Sequence, residues 1–339
     1  MAQASAGGQV SHAESLRSEI DRLTAENRTE RSAARERRLL QLRHEAGVEL
    51  LESASRPQGD YPAPAFDELG AGPIPEITRD RLSPELVRAA ILRSGCLLVR
   101  GMVDPDVALQ FGEGIERALR AREAQRSSPE SPEAGDDGFF EAFEAKEQYD
   151  LASRMWVNEA GGVWAADSPR LAFEMLELFD GAGLTPVIRD YLAEDPLFSV
   201  QKCTLRKVAP SAGNGHPGWH QDGRFLGDVR ALNVWLTLTR CGEDAPGLYL
   251  VPRRLDECLP TGTEGAIFDW VVSPAMVEEA RGDVEILKPE FEPGDAMLFD
   301  DLFLHSTAAD PAMPNHRYAI ESWFFGRSGF PGQYAPLAL

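Results

Sequence analysis

Cysteine and long apolar runs are scarce in this sequence. Four cysteines occur in 339 residues, and no two of them have the C-x-x-C spacing. A disulfide framework or a structural zinc site is therefore not expected, and a reducing cytoplasm is the expected location. No stretch approaches the roughly 18 apolar residues of a transmembrane helix. The N-terminal segment also lacks the apolar core of a secretory signal.

Basic residues are few relative to acidic ones. The chain has 34 Lys and Arg against 55 Asp and Glu, which gives a formal net charge of −21 at pH 7. An acidic surface repels nucleic-acid phosphates and anionic lipids, so we expect neither nucleic acid nor a membrane as a partner. The hydrophobic content of 43% is high enough for a sizeable core.

Residues 12–54 have a helix-forming composition, with no proline and one glycine. Leu16, Ile20 and Leu23 form one apolar stripe. Asn27 interrupts this stripe, so a long coiled coil is not predicted. We interpret the segment as a solvated, partly frayed helix. The alternative is an arm that forms a homo-oligomer, or a lid that packs on the rest of the chain.

A Pro- and Gly-rich stretch follows and marks a linker. It divides the chain into three predicted parts, which are a helical arm at 1–56, a linker at 57–82 and a body at 83–339. Within the body, residues 123–150 include a polar, acidic stretch with prolines. This segment is predicted to be a mobile loop or a lid.

The body begins with helices and continues with strands. Ser83 and Pro84 supply the N-cap and the first residue of a short helix. An amphipathic helix is predicted at 104–122, and two helices separated by glycines at 169–193. From residue 198 onward, short strands alternate with Gly, Pro and Asp; they read SVQKCTLRKV, RALNVWLTLT, GLYLVPRRL, VEILKPEF, AMLFDDLFLHS and RYAIESWFF. This order predicts an α+β chain with a mainly β core, as a β-sandwich or jelly roll with flanking N-terminal helices.

Two histidines and one aspartate have the spacing of a metal site. His220 and Asp222 are separated by one residue in WHQDG, and on an extended segment both side chains point to the same side. His305 lies at the end of the predicted strand AMLFDDLFLHS. Two imidazoles and one carboxylate are the ligands of a non-haem Fe(II) site with open positions. The H-x-D pattern alone is weak, because His220 could equally be a loop histidine bonded to its neighbours.

Arg317 begins the next predicted strand, twelve residues after His305. A guanidinium that faces inward there can hold a carboxylate through two hydrogen bonds. An isolated arginine in so acidic a chain would more simply form a surface ion pair, but its place beside the three candidate ligands favours the site. His316 adjoins it and is expected to face the opposite side of the strand. His216 lies in a Gly-rich loop and lacks the ligand spacing.

The segment from about Leu86 to Phe325 resembles the phytanoyl-CoA dioxygenase family of Fe(II)/2-oxoglutarate oxygenases. The matching stretches are WHQDG, GLYLVPRRL, EPGDAMLFDDLFLHSTA and RYAIESWFF. The resemblance implies a double-stranded β-helix, which is the cupin-like form of the jelly roll. It also implies that His220, Asp222 and His305 bind Fe(II).

The same resemblance assigns contacts to the co-substrate. It implies that Arg317 holds the C5 carboxylate of 2-oxoglutarate, that Gln201 contacts this molecule and that Thr307 places a hydroxyl near it. Trp235 matches a family tryptophan on the strand after the H-x-D loop. In related halogenases a Gly or Ala replaces the carboxylate ligand, so the presence of Asp222 favours hydroxylation or a related oxidation over halogenation.

The predicted strand ALNVWLTLT has two unlike faces. Asn233, Trp235 and Thr237 share a polar and aromatic face, whereas the leucines and the valine fill the other. The aliphatic face is predicted to pack in the core, so Asn233 and Trp235 are expected to line the co-substrate site. Trp235 could equally be a core aromatic residue whose N–H is bonded.

These observations predict an Fe(II)/2-oxoglutarate-dependent dioxygenase that uses O2. It is expected to hydroxylate a small molecule, such as a natural-product or lipid-type intermediate, and to convert 2-oxoglutarate to succinate. One alternative is a cupin-like metal enzyme that does not use 2-oxoglutarate. Another is a degenerate, non-catalytic family member that acts as a binding protein. Desaturation, epimerisation or ring formation on the same iron core is a further alternative.

Overall fold

A computed structural model of the chain describes residues 12–52, 59–131, 138–212 and 218–339. His216 and parts of the predicted arm, linker and mobile loop lie outside these ranges. No helix within the described ranges is long and apolar enough to cross a bilayer. The four cysteines are all free thiols, in agreement with the absence of a disulfide framework.

Helices occupy mainly the first half of the chain. They are α1 (His12–Thr29), α2 (Ala33–Glu52), α3 (Pro84–Ser94), α4 (Pro105–Ser127), α5 (Arg154–Glu159), α6 (Pro169–Gly181), α7 (Leu184–Leu192), α8 (Gly223–Leu226) and α9 (Pro274–Arg281). The predicted start of α3 is confirmed, because Ser83 Oγ accepts a hydrogen bond from the Leu86 N–H at 3.2 Å. This helix ends at Gly95, whose φ of +81° and close approach to the Phe303 ring leave no room for a Cβ.

Two sheets make up the β part of the described chain. The strands are β1 (Glu76–Thr78), β2 (Cys96–Arg100), β3 (Gly162–Trp164), β4 (Pro196–Val208), β5 (Ala231–Thr237), β6 (Gly247–Leu250), β7 (Ala296–Phe299), β8 (His305–Ala308), β9 (Arg317–Gly326) and β10 (Pro336–Ala338). The large sheet has the order β1-β2-β7-β5-β9-β4-β10, with β3 also paired to β4. Strands β6 and β8 form the small sheet, in which Tyr249 pairs with Ser306.

The large sheet separates two cores. Leu232, Val234 and Leu236 of β5 pack with α3, α4 and α6 on one side. On the other side, Trp235 and Phe299 belong to the core between the two sheets. The result is a mainly β, cupin-like double-stranded β-helix with helices on one face, so the predicted α+β class is confirmed.

The predicted strand AMLFDDLFLHS is wrong as a single element. It forms two strands, β7 and β8, which belong to different sheets. The Asp300 carboxylate accepts a hydrogen bond from the Leu302 N–H at 3.2 Å, and the Asp300 carbonyl accepts one from the Phe303 N–H at 3.3 Å. These bonds form a turn. His305 is therefore the first residue of a strand rather than the last.

The predicted strand VEILKPEF is also absent as a continuous strand. Only isolated pairings occur there, between Leu287 and Leu250 and between Phe291 and Cys241. Pro289 lies between these two pairings and has no N–H to donate to a ladder. The segment therefore meets the small sheet at a single point, at Leu250 of β6.

The N-terminal segment differs from the expected solvated helix. Helices α1 and α2 form a hairpin, and Leu16, Ile20 and Leu23 are buried together with Phe173 of α6. Asn27, which was expected to interrupt the apolar stripe, is fully buried. Its side-chain oxygen accepts a hydrogen bond from the backbone N–H at the turn of the hairpin, and its amide donates to Glu36 at 3.2 Å. A homo-oligomer through this helix stays a prediction.

Helix α2 also packs along β10. Arg43 Nη1 donates to the Ala338 carbonyl at 2.9 Å, and His44 Nδ1–H donates to the Pro336 carbonyl at 2.8 Å. Gly47 lies so close to Pro336 that a Cβ would be 3.1 Å from its carbonyl carbon. The hairpin is thus attached to the edge of the large sheet.

The predicted loop at 123–150 is partly helical and partly anchored. Helix α4 continues to Ser127, beyond its predicted end at residue 122. The buried carboxylate of Asp167 accepts hydrogen bonds from the Phe143 N–H at 2.8 Å and from Arg154 Nε at 2.9 Å. Arg154 begins α5, so one carboxylate holds both the loop and this helix. Closure of this segment over the site stays a prediction.

Candidate metal centre and its cavity

The two candidate histidine ligands are held by a direct backbone pairing. His220 N–H donates to the His305 carbonyl at 3.0 Å, and His305 N–H donates to the His220 carbonyl at 3.1 Å. The sequence predicts that Asp222 continues an extended segment, and this is wrong. Asp222 instead immediately precedes α8 and has helical φ and ψ. The turn nevertheless brings its carboxylate to 3.8 Å from His305 Nε2. One ligand atom from each of the three residues lies within 4.8 Å of the others.

Both imidazoles are oriented through their second nitrogen. His220 Nδ1 is 2.7 Å from the Gly218 carbonyl, and His305 Nδ1 is 3.0 Å from the Phe303 carbonyl. A carbonyl can only accept, so each Nδ1 carries the proton and each Nε2 keeps a free lone pair. Burial and the neighbouring His220 lower the pKa of His305 to about 4. At neutral pH this ring is therefore uncharged, as a metal ligand must be.

The donor set fits iron. Two neutral imidazoles and one carboxylate converge from one side, which is the ligand set of the facial triad. The carbonyl partners of the two Nδ1 atoms supply the outer hydrogen bonds that usually accompany ligating histidines. The residues present can thus hold a divalent metal without rearrangement of a tautomer or a helix.

Gln221, between the two ligands of the H-x-D turn, fixes that turn and was not singled out from the sequence. Its amide nitrogen donates to the Leu302 carbonyl at 2.7 Å and to the Glu257 carbonyl at 3.1 Å. Its amide oxygen accepts from the Leu259 N–H at 2.7 Å. The side chain is 2% exposed, so all of these bonds are shielded from water. Its position between two candidate ligands is the sequence feature that could have identified it.

Arg317 is almost completely buried, at 1% exposure. Its Nη1 donates to the Gly247 carbonyl at 2.9 Å, and its guanidinium carbon lies 5.3 Å from the centre of the Trp235 ring. The Nε atom has no hydrogen-bond partner, and Glu321 is 3.8 Å from Nη2. Burial lowers the pKa of Arg317, yet a guanidinium stays protonated at neutral pH. The result is a fixed positive charge with unused donor capacity.

Two further predicted residues contribute unpaired polar atoms. Asn233 and Trp235 are 4% and 3% exposed, and neither Asn233 Oδ1 nor Trp235 Nε1 has a hydrogen-bond partner. Buried polar groups without a partner are uncommon and costly, so they indicate a place where a polar ligand binds. The predicted alternation of β5 is present, with the aliphatic face directed to the helices.

Gln201 is placed differently from the other predicted co-substrate contacts. It lies where the pairing of β4 with β9 shifts register, between Phe198 and Cys203. Its amide oxygen accepts from the Ala335 N–H at 2.9 Å, and its amide nitrogen donates to the Asp150 carbonyl at 3.2 Å. These bonds make Gln201 a brace between the sheet edge and the loop that ends near Asp150.

All eight predicted site residues line one cavity of about 1160 Å³; they are Gln201, His220, Asp222, Asn233, Trp235, His305, Thr307 and Arg317. His316 is exposed and lies outside it, as expected. The mouth of this cavity is formed by residues that the sequence did not single out individually, among them Lys202, Phe225 and Trp270. A comparably large cavity between α1 and the body contains none of the candidate ligands.

A double-stranded β-helix that holds two imidazoles and a carboxylate at one cavity is the arrangement of the non-haem iron, 2-oxoglutarate-dependent oxygenases. The family description phytanoyl-CoA dioxygenase (PhyH) matches residues 91–310, nearly two thirds of the chain. The chain belongs to the phytanoyl-CoA dioxygenase family. The match includes the three candidate ligands and ends seven residues before Arg317.

The solved structures to which this chain is similar are distant in sequence. EctD from S. alaskensis with bound Fe is 17% identical, and the alignment covers 82% of this chain and 86% of that chain with a TM-score of 0.50. The same EctD with 2-oxoglutarate and 5-hydroxyectoine is 17% identical over 81% of this chain and 87% of that chain, with a TM-score of 0.49. The carbocyclase SnoK from nogalamycin biosynthesis is 15% identical over 74% and 86%, with a TM-score of 0.48. A search of curated protein sequences gives no significant match.

Proposed function

We propose that this chain is an Fe(II)/2-oxoglutarate-dependent dioxygenase that hydroxylates a small molecule. The observation that carries the proposal is the meeting of His220, Asp222 and His305 within 4.8 Å, with both Nδ1 atoms bonded to carbonyls. In this assignment the two Nε2 atoms and the Asp222 carboxylate hold the iron. Family membership supports the use of iron, 2-oxoglutarate and O2.

The inner end of the cavity suits a dicarboxylate. Arg317 supplies a buried positive charge with an unpaired Nε, and Trp235 supplies an unpaired N–H beside it. A carboxylate placed there gains two charge-assisted or polar hydrogen bonds and neutralises a charge that water cannot reach. We assign this place to the C5 carboxylate of 2-oxoglutarate. Asn233 and Thr307 line the same cavity.

Bound iron, with 2-oxoglutarate and O2, supplies the oxidising chemistry that hydroxylates a C–H bond and yields succinate and CO2. The protein residues position and shield the reactants. Trp235, Phe299 and Trp323 wall the inner end of the cavity with buried rings, which exclude bulk water from the reacting groups. Hydroxylation by this route requires no side-chain base.

Hydroxylation or a related oxidation is proposed in preference to halogenation, because Asp222 keeps a carboxylate at the third ligand position. Desaturation, epimerisation and ring formation require the same residues and differ in where the substrate C–H bond lies. A cytoplasmic location is proposed because all four cysteines are free thiols, and three of them are buried.

The test is an anaerobic titration of the purified chain with Fe(II) and then with 2-oxoglutarate. We expect stoichiometric iron binding, followed by the visible metal-to-ligand charge-transfer band of the 2-oxoglutarate chelate. Asp222→Ala should bind iron more weakly, whereas Arg317→Met should keep iron and lose the band at co-substrate concentrations that saturate the unaltered chain. His316→Ala is the matched control and should behave as the unaltered chain, because His316 is exposed outside the cavity.

The other outcomes identify the alternatives. Iron binding without a 2-oxoglutarate band in the unaltered chain would indicate a cupin-like metal enzyme that does not use this co-substrate. Absence of iron binding would overturn the enzyme assignment and leave the binding-protein alternative. Circular dichroism shows whether each variant is folded. Arg317→Lys is a second variant at the same position, because it keeps the positive charge.

A further inference from the structure

The mouth of the cavity carries exposed aromatic rings on one loop. Phe268 and Trp270 are 57% and 41% exposed, and their rings are parallel to within 4° with centres 5.8 Å apart. Exposed large apolar side chains that gather at a cavity commonly mark a binding surface. We call this pair the ring platform.

The ring platform adjoins the candidate metal centre. The Trp270 ring meets the His220 ring edge to face, with centres 5.9 Å apart. Phe225 joins the same wall, at 6.3 Å from Trp270 and 6.5 Å from His220. A flat molecule that lies on these rings therefore extends directly to the candidate iron ligands.

The loop beneath the ring platform is held by hydrogen bonds. Val272 N–H donates to the Trp219 carbonyl at 2.8 Å, next to the ligand His220. Thr263 Oγ1 donates to Ser273 Oγ at 2.9 Å, which joins the two ends of the loop. A surface held in this way loses little conformational entropy when it binds a ligand.

Lys202 places a positive charge at the same wall. Its Nζ lies 5.3 Å from the Phe225 ring centre and 5.4 Å from the Tyr334 ring centre. In the part of the chain that the structure describes, no carboxylate forms an ion pair with Lys202. In a chain with 55 acidic residues, an unpaired lysine in the cavity indicates a place for an anionic ligand group.

Arg317, at the inner end of the cavity, is assigned to 2-oxoglutarate, and the remaining basic side chains of the cavity are already neutralised. Lys207 pairs with Glu116 at 2.7 Å, and Arg206 pairs with Glu321 at 2.6 Å. One free charge suits a single carboxylate or sulfonate better than the several phosphates of a coenzyme A ester. The parallel rings suit a flat ring system better than a flexible acyl chain, because stacking rewards planar contact.

We propose that the substrate of this enzyme is a planar, mainly apolar ring compound with one anionic group, which stacks on Phe268 and Trp270 and pairs with Lys202. The inference rests on the proposed function, since it places this compound beside the assigned iron site. Trp270 and Lys202 then determine which small molecules bind.

The test measures binding of three probes to the full chain by calorimetry, without added metal. The probes are 2-naphthoate, its neutral analogue 2-naphthamide, and decanoate. We expect naphthoate to bind about 3- to 10-fold more tightly than either other probe, from one ion pair and one stacking contact. Lys202→Met should abolish the preference for naphthoate over naphthamide, and Trp270→Leu should weaken both ring probes by a similar factor.

Matched controls lie outside the cavity. Phe66→Leu removes another exposed ring, and Lys288→Met another exposed lysine; neither should change probe affinity. Equal binding of naphthoate and naphthamide, tighter binding of decanoate, or no binding of any probe would overturn the inference. Because these titrations contain no iron, they are independent of the Fe(II) and 2-oxoglutarate titration. A failure of the metal assignment is therefore distinguishable from a failure of the substrate assignment.

Discussion

The inner end of the cavity and its mouth are built in different ways. At the inner end, His305 and Arg317 belong to strands of the two sheets, and one nitrogen of each side chain is bonded to a buried carbonyl. At the mouth, Phe268 and Trp270 belong to one loop and are largely exposed. The candidate ligand His305 and the proposed co-substrate residue Arg317 thus lie on strands, whereas Phe268 and Trp270 lie on one loop, so their proposed functions should be separable by mutation.

The largest expected effect follows from removal of a candidate iron ligand, which should weaken Fe(II) binding at the inner end without weakening probe binding at the mouth. His305→Ala leaves one imidazole and one carboxylate, and we expect Fe(II) affinity to fall by more than about 100-fold, the upper limit typical of outer-sphere partners. Binding of 2-naphthoate without metal should stay within about a factor of two, since the ring platform remains. Anaerobic equilibrium dialysis and calorimetry measure the two quantities. A parallel loss of both would contradict the separation of the two ends.

The buried carboxylate of Asp167, which holds α5 through Arg154, gives the stability of the fold a pH dependence of its own. Burial raises the pKa of Asp167 to about 6, despite its contact with Arg154. Since the folded state holds this proton more tightly than the unfolded state, its stabilising contribution is present below pH 4 and is lost as pH rises through 6. We expect the unfolding free energy relative to Asp167→Asn to fall by up to about 3 kcal/mol over this range. Urea denaturation at several pH values measures it, and a rise with pH would contradict the assignment.

The turn that carries two of the candidate ligands should depend on Gln221. Gln221→Leu keeps the size of the side chain but removes its hydrogen bonds to Leu302, Glu257 and Leu259. We expect about a 10-fold weaker Fe(II) affinity, as for other residues that orient ligands. Gln201→Leu is the matched control, because Gln201 braces other segments and should leave Fe(II) affinity unchanged. Equal effects of the two variants would show that Gln221 has no special role.

The smallest effect is expected from a single donor at the inner end. Trp235→Phe keeps a ring beside Arg317 but removes the unpaired N–H. One polar hydrogen bond is worth about 0.5–1.5 kcal/mol, so 2-oxoglutarate affinity should fall by a factor of about 2 to 12. Fe(II) affinity should not change. The charge-transfer band, titrated with 2-oxoglutarate at saturating iron, measures both. An unchanged 2-oxoglutarate affinity would remove Trp235 from the co-substrate site.

Much of the site could be predicted because strand alternation is a local property. In β5, the period of two residues places Asn233 and Trp235 on the cavity face and Val234 in the helix-side core. The spacing of His220 and Asp222 predicted that their side chains meet, although for the wrong reason. Asp222 reaches the site because a helical turn begins there, and local periodicity does not report such a turn.

Other features depend on contacts distant in sequence. Asn27 was expected to interrupt an apolar stripe, but it is buried because Glu36 and the turn after α1 satisfy its amide. In the sequence, nothing distinguishes Lys202 from other strand lysines, because its contacts with Phe225 and Tyr334 form only in the fold. Residue type alone does not supply these partners, because they come from segments that only the fold brings together.

The attachment of α2 to β10 has a consequence for synthesis of the chain. Arg43 and His44 bind carbonyls of Ala338 and Pro336, almost three hundred residues later. At roughly 5–20 residues per second, a ribosome needs about 15 to 60 seconds to make the partner strand after α2 has emerged. During that time the hairpin has no sheet edge to dock on. Its final docking is therefore a late event, and the nascent chain must be kept from aggregating until then.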